Sequence, residues 1–184
     1  MPARYSAAQQ VLHWLTVALM FAVLPVAWIA TAIPEDTKEF YFWLDVHKLI
    51  GLAILCLTAA RILWRVFDRP PALPADVSAW NRRLAQGVAG GLLAMMMVMP
   101  VTGYLWTSGH GHDVAPLNLF KLPRFFFNDQ ALGDLAKSLH LWGRWIVYLL
   151  IALHLAGVSY HLVFRRDRLL ERMLPRQNPQ TDPG

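Results

Sequence analysis

The sequence predicts an all-α integral membrane protein: a bundle of four transmembrane helices with both the N- and the C-terminus in the cytoplasm. Three observations support this fold class. The 184 residues are 56% hydrophobic and only 16% charged, whereas soluble domains have about 25% charged residues. Long stretches of the chain carry no charged side chain. The arginines and lysines are divided unequally between alternate connections, which is typical of a multi-pass membrane protein.

The composition excludes several protein classes. The high hydrophobicity excludes a disordered chain. The single cysteine, Cys56, excludes a disulfide framework, a cysteine-rich zinc site and a cysteine-ligated iron–sulfur cluster. The formal net charge of +5 is interpreted as basic loops that flank a membrane, not as a surface for nucleic acid.

The four helices follow from the charge-free stretches. Residues 14–33, 84–107 and 145–164 contain no acidic residue, lysine or arginine, and about 20 apolar residues cross the hydrocarbon core as a helix. The second helix has a shorter uncharged centre, between Lys48 and Arg61. These long cations are compatible with a membrane helix if they reach the interface or are buried among helices. The predicted spans are about 9–33, 40–67, 84–107 and 138–164.

The domain prediction is one transmembrane domain over residues 1–176 and a disordered tail over 177–184. Eleven arginines lie before the first span, at the end of the second span and in the connection that follows it, and after the fourth span. The other two connections hold four basic residues together. Because basic residues are retained on the cytoplasmic side, both termini are predicted to be cytoplasmic.

Five of the seven histidines lie within or at the ends of the spans, where polar side chains are costly and indicate function. The predicted topology places them at two depths, with His47 and His140 near the outer face and His13 and His154 near the inner face. His154 lies about 21 Å beyond His140 along the helix and within about 40° of the same face. His161 shares that face, which we therefore expect to point into the bundle.

Two imidazoles from different helices at one depth are the axial ligands that a six-coordinate haem iron requires. Gly51, Gly143 and Gly157 each follow one of these histidines by three or four residues. They either let a flat macrocycle approach the backbone or serve ordinary helix packing. Structural zinc prefers four ligands and catalytic zinc three, whereas a di-iron site needs glutamates within the helices. Histidine pairs at two depths match neither type of site.

The chain resembles the bacterial cytochrome b561 family over about residues 3–176. The resemblance rests on Tyr5-Ser6, Leu12-His13-Trp14, the segment 46–51, Ser138-Leu139-His140, Leu153-His154 and the segment 167–176. It implies two non-covalently bound b haems. It also implies that His47 and His140 ligate the outer haem and that His13 and His154 ligate the inner one, which are the pairs that depth predicts.

The resemblance extends to family members that oxidise superoxide and pass the electron to ubiquinone. It implies a superoxide:ubiquinone oxidoreductase in the bacterial inner membrane, with superoxide oxidised at the periplasmic face. His161 falls where these members have a histidine close to the quinone pocket, although Leu162 stands where they carry a second histidine. Lys48, Arg61 and Arg144 are candidate contacts for haem propionates or an anionic donor. Arg61 is also a candidate contact for the quinone, or a simple interface cation.

Two other function classes stay open at the level of sequence. The chain has the features of a cytochrome b membrane anchor that receives electrons from a partner dehydrogenase or hydrogenase. A transporter that moves protons through membrane histidines is the third class. On the outer loops, Lys137, His110 and His112 are positioned to attract an anion, and the two histidines are more simply interpreted as a solvated pair than as a metal site.

Overall fold

The computed structural model describes residues 4–72, 77–167 and 169–174. Within these residues the chain is helical and has no β-strand. The four long helices are α1 (Ala7–Ala32), α2 (Lys38–Phe67), α3 (Ala79–Gly109) and α4 (Gln130–Ser159). A π-helical segment, Tyr160–Arg165, continues α4, and short 3₁₀ helices lie at Pro116–Asn118 and Leu170–Met173.

All four helices are long and apolar enough to span a membrane, which confirms the predicted all-α fold of four membrane-spanning helices. Many large apolar side chains point outward along them. Phe67 is 83% exposed and Phe164 is 77% exposed. Such extensive apolar surface is unfavourable in water, and in a bilayer it is the surface that contacts lipid.

All four helices begin before the predicted spans, and α3 and α4 do so by more than a helical turn. α3 begins at Ala79, because the Ser78 side chain accepts a hydrogen bond from the backbone N–H of Asn81. α4 begins at Gln130, because Asp129 caps its first turn through the N–H of Leu132. Capping satisfies backbone N–H groups and so extends a helix beyond its apolar stretch. The tail predicted over 177–184 lies outside the described residues.

The helices pack as a closed bundle. α1 packs along α2, α2 packs against α3, and α3 packs along α4. The Trp28 indole N–H donates to the Tyr148 hydroxyl at 2.8 Å and joins α1 to α4. A buried apolar layer of Val23, Ile54 and Met96 lies half-way along the bundle, since Ile54 is midway between His47 and Arg61 on α2.

At one end of the bundle, the two ends of the chain meet. The Tyr5 N–H donates to the Arg172 carbonyl at 3.1 Å, and the Trp14 indole donates to the Met173 carbonyl at 2.8 Å. The Gln9 side chain reaches across to the carbonyl of Asp68, just after α2. We name this end the terminal end, and the opposite end, formed by residues 33–37 and 110–129, the loop end.

The long connection at the loop end folds over the start of α2. Arg124 makes two hydrogen bonds to the Asp113 carboxylate, at 2.6 and 2.8 Å, and Lys121 makes an ion pair with it at 2.6 Å. The Leu117 N–H donates to Asp45 at 3.3 Å. The hydrogen bonds from Arg124 and Lys121 hold the pKa of Asp113 well below its ordinary value, so the carboxylate stays ionised at neutral pH.

Candidate functional site

The structure brings His47 of α2 and His140 of α4 together at the loop end. Their ring centres are 6.2 Å apart and the rings are inclined at 81°. A metal bonded to one nitrogen of each ring, at about 2 Å, with about 1.1 Å from nitrogen to ring centre, requires a separation of about 6.3 Å. The spacing of this loop-end pair therefore fits two axial ligands of one iron.

His140 is held by the neighbouring helix α3. Its Nδ1 atom lies 3.0 Å from the Met99 carbonyl and 3.1 Å from the Thr102 hydroxyl oxygen. Because a carbonyl only accepts hydrogen bonds, Nδ1 carries the proton. The lone pair of the neutral ring is then on Nε2, which leaves that nitrogen available to a metal.

His47 is less completely hydrogen-bonded. In the described part of the chain, its Nδ1 is one of three buried polar side-chain atoms that have no hydrogen bond of good geometry. The backbone of Val23 is close enough for a weaker interaction. A buried imidazole with an unsatisfied nitrogen is costly unless the ring gains another interaction. Coordination of an iron shared with His140 would supply that interaction.

His13 of α1 and His154 of α4, the predicted terminal-end pair, are both half-buried near that end of the bundle. Arg61 of α2 donates a hydrogen bond to His13 Nδ1 at 3.2 Å, and its charge also acts on His154. Arginine can only donate, so Nδ1 accepts here. Ligation of iron through Nε2 requires a proton on Nδ1, and the Arg61 guanidinium must then turn to another acceptor.

The three glycines near the histidines divide into two kinds. A Cβ atom added at Gly51 or Gly157 would meet no atom within 4 Å, so the backbone is approachable there. At Gly143 it would lie 2.7 Å from the Met99 sulfur and 3.2 Å from the Met95 methyl. Gly143 therefore serves the packing of α4 against α3, whereas Gly51 and Gly157 suit a flat cofactor.

Two of the three predicted cationic contacts have other partners in the structure. Lys48 makes an ion pair with Asp45 at 3.4 Å. Arg144 is exposed and lies over the Trp145 ring, 5.3 Å from its centre. Only Arg61, on His13, directly contacts a histidine of a pair.

His161 lies in the π-helical segment after α4, at the terminal end. Its Nδ1 donates to the Asp167 carboxylate at 2.6 Å, and Arg165 binds the same oxygen at 3.2 Å. Burial acts to raise the pKa of Asp167, but the hydrogen bond from His161 and the charge of Arg165 keep that pKa below its ordinary value. The histidine therefore has an ionised carboxylate as its partner.

Sequence reasoning missed Asp167 and the face of α3 that surrounds His140. That face comprises Met99, Thr102, Gly103 and Trp106, at helical spacings of three and four residues. A threonine and a glycine within an otherwise apolar span were the available signal. They did not show which histidine the face would meet, because α3 itself carries no histidine within its span.

Among the described residues, no three histidine, cysteine, aspartate or glutamate side chains gather into a potential metal site. The two histidine pairs are therefore the ligand sets to explain. Two ligands per site suit haem, since the macrocycle supplies the four in-plane nitrogens itself.

Comparison with known proteins connects this geometry to a family. The sequence profile described as prokaryotic cytochrome b561 matches residues 4–176. Cytochrome b561 homolog 2 of Escherichia coli K12 is 26% identical over 94% of this chain and 92% of its own length. Cytochrome b561 homolog 1 of the same organism is 24% identical over 95% of this chain and 98% of its own length.

A third relative is named probable superoxide oxidase CybB, from Yersinia pestis. It is 28% identical over 96% of this chain and 99% of its own length. The resemblance predicted from the histidine motifs is thereby confirmed. The chain belongs to the prokaryotic cytochrome b561 family of membrane electron-transfer proteins that bind haem b.

Proposed function

We propose that this protein oxidises superoxide at the loop end and reduces ubiquinone near the terminal end, through one haem b held by each histidine pair. The observation that carries the proposal is the His47–His140 pair at the loop end, 6.2 Å between ring centres, together with His13, Arg61 and His154 at the opposite end of the bundle. Such an arrangement suits a transmembrane electron path. The named relative from Yersinia pestis supports superoxide as the donor.

In the proposal, His47 and His140 hold the loop-end haem, and His13 and His154 hold the terminal-end haem. When bound, each haem supplies a one-electron acceptor and donor. The protein contributes axial ligation, burial and the hydrogen bonds to the ligands. Arg61 is the protein's candidate partner for a propionate of the terminal-end haem, since it must leave His13 Nδ1 on ligation.

Lys137 and Trp106 support an anionic donor at the loop end. The exposed Lys137 ammonium lies 5.6 Å from the centre of the Trp106 ring, and that ring lies 5.9 Å from the His140 ring. By contrast, Lys121 and Arg124 are both engaged by the single Asp113 carboxylate. An anion attracted to Lys137 therefore lies one aromatic ring away from His140, a proposed iron ligand. This attraction would come from a single lysine and not from the net charge of the outer loops.

His161 and Asp167 support quinone reduction at the terminal end. Superoxide loses one electron and becomes dioxygen, so two superoxide anions reduce one ubiquinone, which also takes up two protons. Because Nδ1 is engaged by Asp167, Nε2 is the ring nitrogen that remains for a hydrogen bond to a quinone carbonyl. The pair is thus suited to position the head group and to relay a proton.

The charge distribution supports an orientation in the bacterial inner membrane. The arginine-rich connections belong to the terminal end, which the positive-inside rule assigns to the cytoplasm. The loop end then faces the periplasm. Superoxide, as an anion, would be oxidised there without crossing the bilayer, and protons for quinone would come from the cytoplasmic side.

The test is a two-step reaction of the purified protein carrying both haems. Added anaerobically, superoxide should reduce the haems, and superoxide dismutase should abolish this reduction. Ubiquinone should then reoxidise them. In His161→Ala, with both haems retained, reduction should stay fast while reoxidation slows at least tenfold, roughly 1.4 kcal/mol of lost transition-state stabilisation.

Val163→Ala is the matched control, because it truncates an exposed side chain of the same segment and should leave both steps unchanged. Failure of superoxide to reduce the haems would reject the donor and favour a partner dehydrogenase. Unchanged reoxidation in His161→Ala would move the quinone site elsewhere.

A further inference from the structure

The two histidine pairs lie in electrically different surroundings. At the loop end, both groups near His140 Nδ1 are neutral hydrogen-bond acceptors, the Met99 carbonyl at 3.0 Å and the Thr102 hydroxyl at 3.1 Å. The Thr102 hydroxyl is itself 2.9 Å from the Met99 carbonyl, to which it donates, so its oxygen is free to accept from Nδ1.

The position of the His140 ring is fixed on its other sides by the same face of α3. A Cβ at Gly103 would lie 3.2 Å from His140 Cε1, so a larger residue there would push the ring away by a few tenths of an ångström. Trp106 packs against the ring one turn further on, with ring centres 5.9 Å apart. The imidazole is therefore held in one orientation, with Nδ1 toward its acceptors.

A histidine whose Nδ1–H is bonded to acceptors is a more basic ligand through Nε2. A more basic ligand stabilises the ferric over the ferrous iron and lowers the reduction potential. Of the cations near the loop-end pair, Lys48 is paired with Asp45, and Lys137 is exposed to water, which screens its charge. The structure at this end thus favours a low potential.

The surroundings of the terminal-end histidines favour a high reduction potential. Arg61 contacts His13 directly, and the charges of Arg61 and Arg65 both act on this histidine. Asp167 is paired with His161 and Arg165, Asp68 stays charged but is bonded to the Trp64 indole, and within the described residues no ion pair joins Arg61 or Arg65 to a carboxylate. Unpaired positive charge at short range disfavours the more positive ferric state. Whether Arg61 stays near His13 or pairs with a propionate, it raises the potential of this haem.

We infer that the loop-end haem is the low-potential centre and the terminal-end haem the high-potential centre, with Thr102 and Arg61 as the positioning residues that set the difference. The inference rests on the proposed di-haem function. It makes transfer from the periplasmic to the cytoplasmic side energetically downhill, so the hydrogen bonding and charge of the protein give the electron path its direction.

The test is a spectroelectrochemical titration of the haem-loaded protein, which needs neither superoxide nor ubiquinone. Thr102→Val keeps the side-chain shape and removes the hydroxyl. It should raise only the lower midpoint, changing the reduced-to-oxidised ratio about threefold at a fixed potential, roughly 28 mV. Arg61→Gln should lower only the higher midpoint, changing that ratio about tenfold, roughly 59 mV.

Thr58→Val and Arg83→Gln are the matched controls. Thr58 is a fully buried threonine on α2, and Arg83 is an exposed arginine in the first turns of α3. Neither change should move a midpoint. The midpoint that remains in His47→Ala assigns the terminal-end haem directly. If Arg61→Gln loses haem, Arg65→Gln should lower the higher midpoint by a smaller amount.

Two equal midpoints would overturn the inference, as would a lower midpoint at the terminal end or a Thr102→Val variant with both midpoints unmoved. These outcomes are separate from the proposed function. A protein that ignores superoxide but has the expected midpoint order rejects the donor alone. A protein that oxidises superoxide with equal midpoints rejects the directional inference alone.

Discussion

At the scale of single residues, the chemistry depends on what each histidine nitrogen contacts. His140 Nδ1 faces a carbonyl and a hydroxyl, His13 Nδ1 faces a guanidinium, and His161 Nδ1 faces a carboxylate. With these partners, His140 is suited to ligate a metal through Nε2, whereas His13 would first have to exchange its partner. The carboxylate beside His161 suits that ring to proton transfer. Identical side chains are thus suited to different roles.

The ligand assignment leads to a prediction about haem content. His47→Ala or His140→Ala should lose mainly the loop-end haem, and His13→Ala or His154→Ala mainly the terminal-end haem. Each folded variant should then bind one haem per chain instead of two, because the other pair is left intact. The measurement is the haem-to-protein ratio of the purified variant together with its reduced-minus-oxidised spectrum.

His112→Ala is the control for these variants, since His112 lies in the loop-end connection outside both pairs. It should retain both haems. Folded variants that lose both haems from every one of the four substitutions would contradict the assignment to two separate pairs.

At the scale of elements, α3 and the loop-end connection matter although neither contributes an iron ligand to the proposal. One face of α3 orients His140 from outside the ligand set. The connection over residues 110–129 is fixed to α2 through Leu117 and Asp45, two residues before His47. The helices that carry the proposed ligands would therefore bind the cofactor, and α3 and the loop-end connection hold those helices and side chains in place.

The ion pairs of Asp113 should determine how closed this connection is. Because the pKa of Asp113 is depressed, its contribution to stability is present above the ordinary carboxyl pKa and is lost only as the pH falls through the lower folded value. Asp113→Asn should weaken the pairs at neutral pH. Trypsin should then cleave after Lys121 and Arg124 several times faster than in the unaltered protein.

Asp134→Asn provides the comparison, since it removes an exposed charge next to the same connection and contacts His110 rather than Lys121 or Arg124. It should leave the cleavage rate unchanged. Equal rates in Asp113→Asn and the unaltered protein would show that packing, not the ion pairs, holds the connection.

At the scale of the whole molecule, the bundle has two chemically different ends separated by an apolar layer. The terminal end gathers the chain ends, Arg61 and His161, whereas the loop end carries an ordered connection cross-linked by ion pairs. The layer around Ile54 separates the two histidine levels with well-packed apolar side chains. The same packing that stabilises the bundle would therefore keep the two proposed reactions apart.

This polarity predicts the topology. A fluorescent protein fused to the C-terminus should be bright, because it folds in the cytoplasm, and alkaline phosphatase inserted between residues 118 and 128 should be active, because it needs the periplasm. The reason is the excess of arginine at the terminal end. Active phosphatase at the C-terminus together with an inactive loop insertion would reverse the proposed orientation and with it the direction of electron flow.

The sequence by itself determined the four helices, the family and the two levels of histidines. Long apolar stretches leave a helix as the form that satisfies its own backbone within lipid, so their number and order follow from composition alone. Helical spacing likewise put His140 and His154 on one face. The structure then brought His47 to His140 as the depths predicted, while their role as haem ligands stays a proposal.

Only the tertiary structure decided the partners of those histidines. Thr102 contacts His140 and Arg61 contacts His13, although these residues are far apart in the sequence. Asp167 contacts His161 across a π-helical turn. The tertiary structure also assigned Gly143 to packing rather than to a cofactor. The physical reason is that sequence periodicity reports which face of one helix is apolar, whereas contacts between helices depend on how each helix is rotated and placed against the next.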